Sequence, residues 1–169
     1  ECPADWEVTD LNANPVDAGW TVEGMSAEAG LTEGSCGGGN GTRVHTFTAP
    51  ATGYYLFTID GDDSKTLYLR SACEQPATEL ACTRNFGAGA TSIAAQLEEG
   101  DTTYVFTDRF FADDPAVPYT LTVSAHQPNR VIAAEVYLNR SAGSLSLTAS
   151  GLQGSGAPSL VSVDLTNAD

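Results

Sequence analysis

The sequence predicts an all-β fold, an antiparallel β-sandwich or barrel, and two observations carry that expectation. Short runs rich in aromatic and β-branched residues recur at regular spacing, divided by clusters of Gly, Pro, Asp and Asn, and none has helical periodicity. Some of these runs alternate at period two. Arg43-Val44-His45-Thr46-Phe47-Thr48 does so, and in Tyr119-Thr120-Leu121-Thr122-Val123 the residues Tyr119, Leu121 and Val123 share one face while hydroxyls take the other.

Taken in order, the chain opens with Cys2-Pro3 and a short strand candidate at residues 6–9, then a turn-rich loop at 10–17. Residues 19–23 read as a strand. Residues 24–41 read as loop, with a flexible stretch at Gly37-Gly38-Gly39 and an optional helical turn at 26–29. The strand at 43–48 leads into residues 53–82, which read as three strands and two turns. Tyr54-Tyr55-Leu56-Phe57-Thr58-Ile59 has strand composition. Asp60-Gly61-Asp62-Asp63-Ser64 supplies turn chemistry, Gly61 being expected at positive φ. Thr66-Leu67-Tyr68-Leu69-Arg70 is the next strand, and residues 74–79, flanked by Cys73 and Cys82, look like a hairpin tip. Further strands are expected at 90–97, 102–107 and 119–123. Residues 126–129 read as a boundary between a sandwich with its N-terminal segment (1–126) and a C-terminal module (127–169) with strand candidates at 131–138, 144–149 and 160–165.

Composition limits function. Only 17% of residues are charged, and 22 acids against 7 bases give a net charge of −15, with Lys65 the only lysine. That balance argues against nucleic acid, whose phosphates need a positive footprint, and against docking on anionic membrane surfaces. No apolar run is long enough to span a membrane. Cys2, Cys36, Cys73 and Cys82 include no CxxC pair, and only two His are present, so two disulfides in an oxidising compartment are expected rather than zinc. The chain begins at Glu1, so a removed signal peptide is expected. A lipidated cysteine must be the first mature residue, so Cys2 is expected in a disulfide.

Several motifs resemble one family. Ala49-Pro50-Ala51-Thr52-Gly53-Tyr54-Tyr55-Leu56-Phe57, then Thr66-Leu67-Tyr68-Leu69-Arg70, then Cys73 with Glu79-Leu80-Ala81-Cys82, resemble the bacterial pre-peptidase C-terminal domain. Leu97 to Phe106 and Pro118-Tyr119-Thr120-Leu121-Thr122-Val123 extend the resemblance over about residues 17–125. It implies a jelly-roll-like β-sandwich of a secreted protein, one that accompanies catalytic or surface domains and is not itself an enzyme. It also implies pairing of Cys73 with Cys82, which leaves Cys2 to bridge Cys36. The chain departs from the family pattern at Lys65-Thr66, where an Asp precedes the strand, and at Thr83-Arg84-Asn85, where Asn-Asp-Asp follows the cysteine. Acidic groups that would hold a cation are thus depleted at both places.

No G-x-S-x-G elbow or H-E-x-x-H helix is present, and His45 and His126 are read as structural, so no catalytic residue is expected. Asp60, Asp62 and Asp63 are the candidate Ca²⁺ ligands, with Asp113-Asp114 and the 10–17 loop as lesser ones. Solvated turns are the favoured reading, and no cofactor is expected to be required. Asn40-Gly41-Thr42 and Asn139-Arg140-Ser141 match glycosylation sequons. Phe110 and Phe111 are either a recognition tip or core residues. In the C-terminal module Val136 and Leu138, and Val161 and Val163, lie on apolar faces that must be covered. Three ways of covering them stand open: packing on the sandwich, completion of a truncated immunoglobulin-like domain, or a strand from a neighbouring subunit. The expected function is a non-catalytic, secreted or cell-surface structural or interaction module, with subunit joining by strand addition into an extracellular fibre as one form. It would take protein partners or self-associate. The alternative is a targeting module of a secreted hydrolase, binding polysaccharide or fibrous protein.

Overall fold

Strands with apolar residues at every second position have one face to bury, and two sheets bury theirs against each other. The structure, a computed structural model, describes residues 2–27, 30–111, 116–126, 133–139 and 144–150. Contacts divide the chain into two units, Glu1–His126 and Gln127–Asp169. The first holds β1 (Val8–Asp10), β2 (Pro15–Val16), β3 (Gly19–Met25), β4 (Arg43–Thr48), β5 (Gly53–Gly61), β6 (Lys65–Arg70), β7 (Glu79–Asn85), β8 (Thr91–Leu97), β9 (Thr102–Arg109) and β10 (Pro118–His126). One sheet runs β1-β4-β9-β6-β7 and the other β2-β3-β10-β5-β8. The fold is the all-β sandwich that the strand pattern predicts.

The chain alternates between sheets, so sequence neighbours seldom pair. The turn at Asp60–Ser64 is an arch from β5 in one sheet to β6 in the other, and only β6–β7 within residues 53–82 is a hairpin. Gly61 is not at positive φ, contrary to expectation; it pairs with Tyr119 inside the ladder, where an added Cβ would lie 3.0 Å from the Pro118 carbonyl oxygen. Ser26 and Ala27 form no helical turn, because their amides continue the ladder to Val117 O and Gly41 O. One pairing breaks the antiparallel rule: β1 runs parallel to β4, with Val8 opposite Val44.

The inner core is aromatic and aliphatic. Phe47, Phe57, Leu67, Leu69, Val105, Leu121 and Val123 are wholly buried there, and Trp20 packs edge-on to Phe47 at 4.8 Å. Tyr119, Leu121 and Val123 all face it, as their spacing predicts. A second cluster lies on the outer face of the first sheet: Val44, Tyr68, Cys73 and Phe106, packed against Cys2, Trp6, Cys82 and Tyr104. Every residue of β6 is buried as a result, since both of its faces are covered.

In the second unit β11 (Ala133–Asn139) and β12 (Ser144–Ser150) pair antiparallel, with Val136 opposite Leu147 and Leu138 opposite Leu145. The third expected strand, with Val161 and Val163, lies outside the described residues.

Candidate interaction surface

The disulfides organise the covered outer face, and they correct the expected pairing. The bridges are Cys2–Cys73 and Cys36–Cys82, and no described cysteine is free. Cys73–Cys82 fails for a reason of register. Cys82 stands opposite Tyr68 within the ladder, whereas Cys73 lies in the loop beyond Arg70. Several residues of hairpin, at ~3.3 Å each, then separate two positions whose Cα atoms must approach within ~7 Å. Both bridges instead fasten remote segments to the outer face: the N-terminus by Cys2, and the glycine-rich loop by Cys36.

That loop is not free. Its glycines Gly37, Gly38 and Gly39 all take positive φ, which explains why three are needed in a row. The Asp108 carboxylate, only 3% exposed, accepts bonds from Gly39 N at 2.7 Å, Asn40 N at 2.9 Å and the Thr42 hydroxyl at 2.9 Å. Burial pushes this carboxyl up to about 6, against the lowering effect of those bonds. Arg70, wholly buried, stacks over the rings of Tyr68 and Phe106 at 5.0 Å each and donates to Thr32 Oγ1 and Glu33 O. Gly34 lies so close to Tyr68 that an added Cβ would be 2.7 Å from the ring.

At one end of this pinned face three phenylalanines meet. Asn85, Lys65 and Arg109 stand in one row across β7, β6 and β9, so Phe86 and Phe110 come one residue beyond that row on either side. Phe86 and Phe110 are 4.8 Å apart and Phe110 and Phe111 5.1 Å, both at 83°. The Phe86 and Phe111 rings are 6.4 Å apart. Phe110 is half-buried against Gly37, while Phe86 and Phe111 are 55% and 49% exposed. Arg84 lies over Phe86 at 4.9 Å and Phe110 at 5.5 Å, and donates to Cys36 O. Of the two sequence candidates, Phe110 therefore folds back and Phe111 projects. The sequence reading missed Phe86 and Arg84. The sequence carries only part of the signal, an aromatic between the turn formers Asn85 and Gly87, and not its nearness to Phe110.

The candidate metal ligands share the arch between β5 and β6. Asp60 Oδ1 accepts from Gly61 N and Asp63 Oδ1 from Ser64 N, as turn carboxylates do. Asp62 is exposed. Among the described residues no three His, Cys, Asp or Glu side chains come together as a metal site. Asp10 similarly accepts from Asn12 N in the 10–17 loop, and Asp113 and Asp114 lie outside the described residues. The cation beside the Asp60–Asp63 turn is Lys65. Its ammonium donates to the backbone oxygens of Gly61 at 3.0 Å, Asp63 at 2.6 Å and Gly87 at 2.7 Å. His45 is buried with its Nε2 2.9 Å from the Tyr119 hydroxyl, and burial, with a smaller effect from Arg43, lowers it to about 4. His126 is exposed at the end of β10. Val136 and Leu138 lie on β11, paired as described above.

No protein-family model matches the chain, and no curated protein does. Among solved structures it is similar to the pre-peptidase C-terminal domain of a Bacillus anthracis collagenase, at 14% identity and a TM-score of 0.45, over 73% of this chain and 100% of that one. It is similar to PliG of Aeromonas hydrophila, a periplasmic inhibitor of g-type lysozyme, at 19% identity and 0.45, over 71% and 98%. It is also similar to CorA of Methylomicrobium album BG8, a surface-associated copper-binding protein, at 6% identity and 0.45, over 72% and 98%. The first of these is a solved structure of the family that the sequence motifs resemble.

Proposed function

We propose that this chain is a non-catalytic interaction module of an oxidising, extracytoplasmic compartment, and that it binds a protein partner through Phe86, Phe111 and Arg84. One observation carries the reading: two phenylalanines about half exposed, with an arginine stacked on one of them, stand on a frame fastened by two disulfides. Aromatic and arginine side chains dominate the energetics of protein interfaces, and rigid ones lose little entropy on binding. The rings meet edge to face and so offer no flat platform to a sugar ring, which favours a protein partner over a polysaccharide. The two bridges need an oxidising environment to form and persist.

Subunit joining by strand addition would act through residues 127–169 and does not require Phe86 or Phe111, so the two readings predict different variants. The test is affinity capture from the native extracellular fraction, followed by titration of the purified partner against wild type, Phe86→Ala and Phe111→Ala. Each substitution is expected to weaken binding by about 2 kcal/mol, roughly thirtyfold, as interface anchors do, with the melting midpoint unchanged. Equal affinity for all three proteins refutes the reading.

A further inference from the structure

A lone lysine among 22 acids is expected on the surface, as lysines nearly always are. Lys65 is instead 5% exposed. It opens β6 on the side shared with Leu67 and Leu69, which face the inner core, at the end of the sandwich. Its ammonium has three hydrogens, and three backbone oxygens from three segments receive them: Gly61 at the end of β5, Asp63 in the arch, and Gly87 in the β7–β8 turn. The lengths, 2.6 to 3.0 Å, are those of N–H···O bonds and longer than most Ca²⁺–oxygen contacts. Burial lowers the pKa of this ammonium below the usual lysine value, and the negative charges of Asp60, Asp63 and Asp62 oppose that shift in favour of the charged form. The same turn is tied down twice more, by Gly89 N to Gly61 O and by Gly87 N to Asn85 Oδ1. Phe86 sits in that turn, directly before the Gly87 carbonyl.

We propose that Lys65 is a tethered cation: its ammonium fills a cage of three backbone carbonyl oxygens, and thereby positions the Phe86 turn with no exchangeable metal. The side chain makes no covalent or redox step; it is a positioning residue. The inference stands whatever Phe86 binds, because its readouts are those of the turn.

Three measurements on the full chain test it. Lys65 is the only lysine in the sequence, so acetylation followed by mass spectrometry of the peptide that carries it reads Lys65 directly. Lys65 is expected to stay unlabelled in the folded chain and to be labelled in the urea-unfolded chain; equal reactivity of Lys65 in both states overturns the proposal. Chelation with EDTA is expected to leave the wild-type melting midpoint unchanged, and a large drop overturns it. Lys65→Ala is expected to melt several degrees lower and to exchange the amides of residues 86–89 faster. Methylammonium, which can donate to the three carbonyls, should restore both, while tetramethylammonium at the same concentration, with no N–H, should restore neither. A variant that matches wild type, or that responds equally to both salts, overturns the tethered-cation role. If Lys65→Ala does not fold, the labelling and chelation results on wild type still decide.

Discussion

Two buried groups make opposite demands on the fold as pH falls, and separating them is a quantitative test. His45 and Asp108 are each 3% exposed. His45 is held near 4 from an ordinary 6.5, so the unfolded chain takes up its proton first on acidification. The stability that neutral His45 contributes is present above pH 6.5 and is lost as pH falls through about 4. The 2.5-unit gap corresponds to about 3 kcal/mol at 1.36 kcal/mol per unit. Asp108 is displaced the other way, from an ordinary 3.8 to about 6. Its contribution is fully present below pH 3.8 and is lost as pH rises through about 6, again about 3 kcal/mol. The windows overlap between pH 4 and 6, so in wild type the two nearly cancel. His45→Gln, which can still bond the Tyr119 hydroxyl, leaves Asp108 unopposed; relative to wild type the variant should gain stability as pH falls from 6.5 to 4. Asp108→Asn leaves His45 unopposed and should lose stability over the same range. The two residues lie on opposite faces of the first sheet, so their effects should add. Urea unfolding at half-unit pH steps measures all three proteins, and the other carboxylates cancel in the differences. If either difference is flat with pH, the burial argument for that residue is wrong.

The remaining predictions concern the covered face. Non-reducing peptide mapping should give Cys2–Cys73 and Cys36–Cys82 peptides and no Cys73–Cys82 peptide. Replacing either pair with serine should cost about 4 kcal/mol by loop-closure entropy over separations of 71 and 46 residues; a loss below 1 kcal/mol in chemical denaturation would contradict that account. Gly34→Ala should destabilise by about 1–3 kcal/mol, since its Cβ would meet the Tyr68 ring at 2.7 Å and Cys82 Sγ at 2.9 Å. Gly53→Ala, with nothing within 4 Å, is the control and should melt close to wild type.

What was legible in the sequence was whatever depends on near neighbours along the chain. The alternating run Arg43–Thr48 is β4 to the residue, and Tyr119, Leu121 and Val123 face the core as their spacing requires. Such patterns follow from the two-residue period of a strand alone. The outer face of the first sheet was not legible, because burial there comes from loops remote in sequence. Val44 and His45 are both buried, so β4 loses the one-sided pattern that a half-exposed strand shows. The cysteine pairing that the family resemblance implies fails for the same cause: register places Cys73 and Cys82 apart and brings Cys36 to Cys82 over 46 residues. Of the interaction surface, Phe110 and Phe111 were visible as an aromatic pair. Phe86 and Arg84 became part of it only through the row Asn85–Lys65–Arg109, a fact about three strands and not about any one of them.

The placement of the surface also follows from what the rest of the sandwich does with its faces. The outer face of the first sheet is occupied by the N-terminal segment and the 30–42 loop, both held by disulfides, so a partner cannot dock there without displacing them. The outer face of the second sheet carries hydroxyl ladders, with Thr21 bonded to Thr122 at 2.9 Å and Thr58 to Ser92 at 2.8 Å. Those groups are satisfied within the sheet and offer little desolvation gain to a partner. On the open side, the edge of β3 is shielded in part: Thr21 N is taken by Asn14 O and Met25 O by Arg43 Nε, with Arg43 held in turn by Glu7 at 2.6 Å. Opposite, β7 and β8 close on each other through Thr83 and Thr91. At the end of the sandwich where β7 and β9 run out, the chain puts Phe86 and Phe111 into solvent, the two most exposed aromatic residues among those described. The Cys36–Cys82 bridge and the bonds from Gly39 and Asn40 to Asp108 fix the loop against which Phe110 packs, so Phe86 and Phe111 stand on a held base.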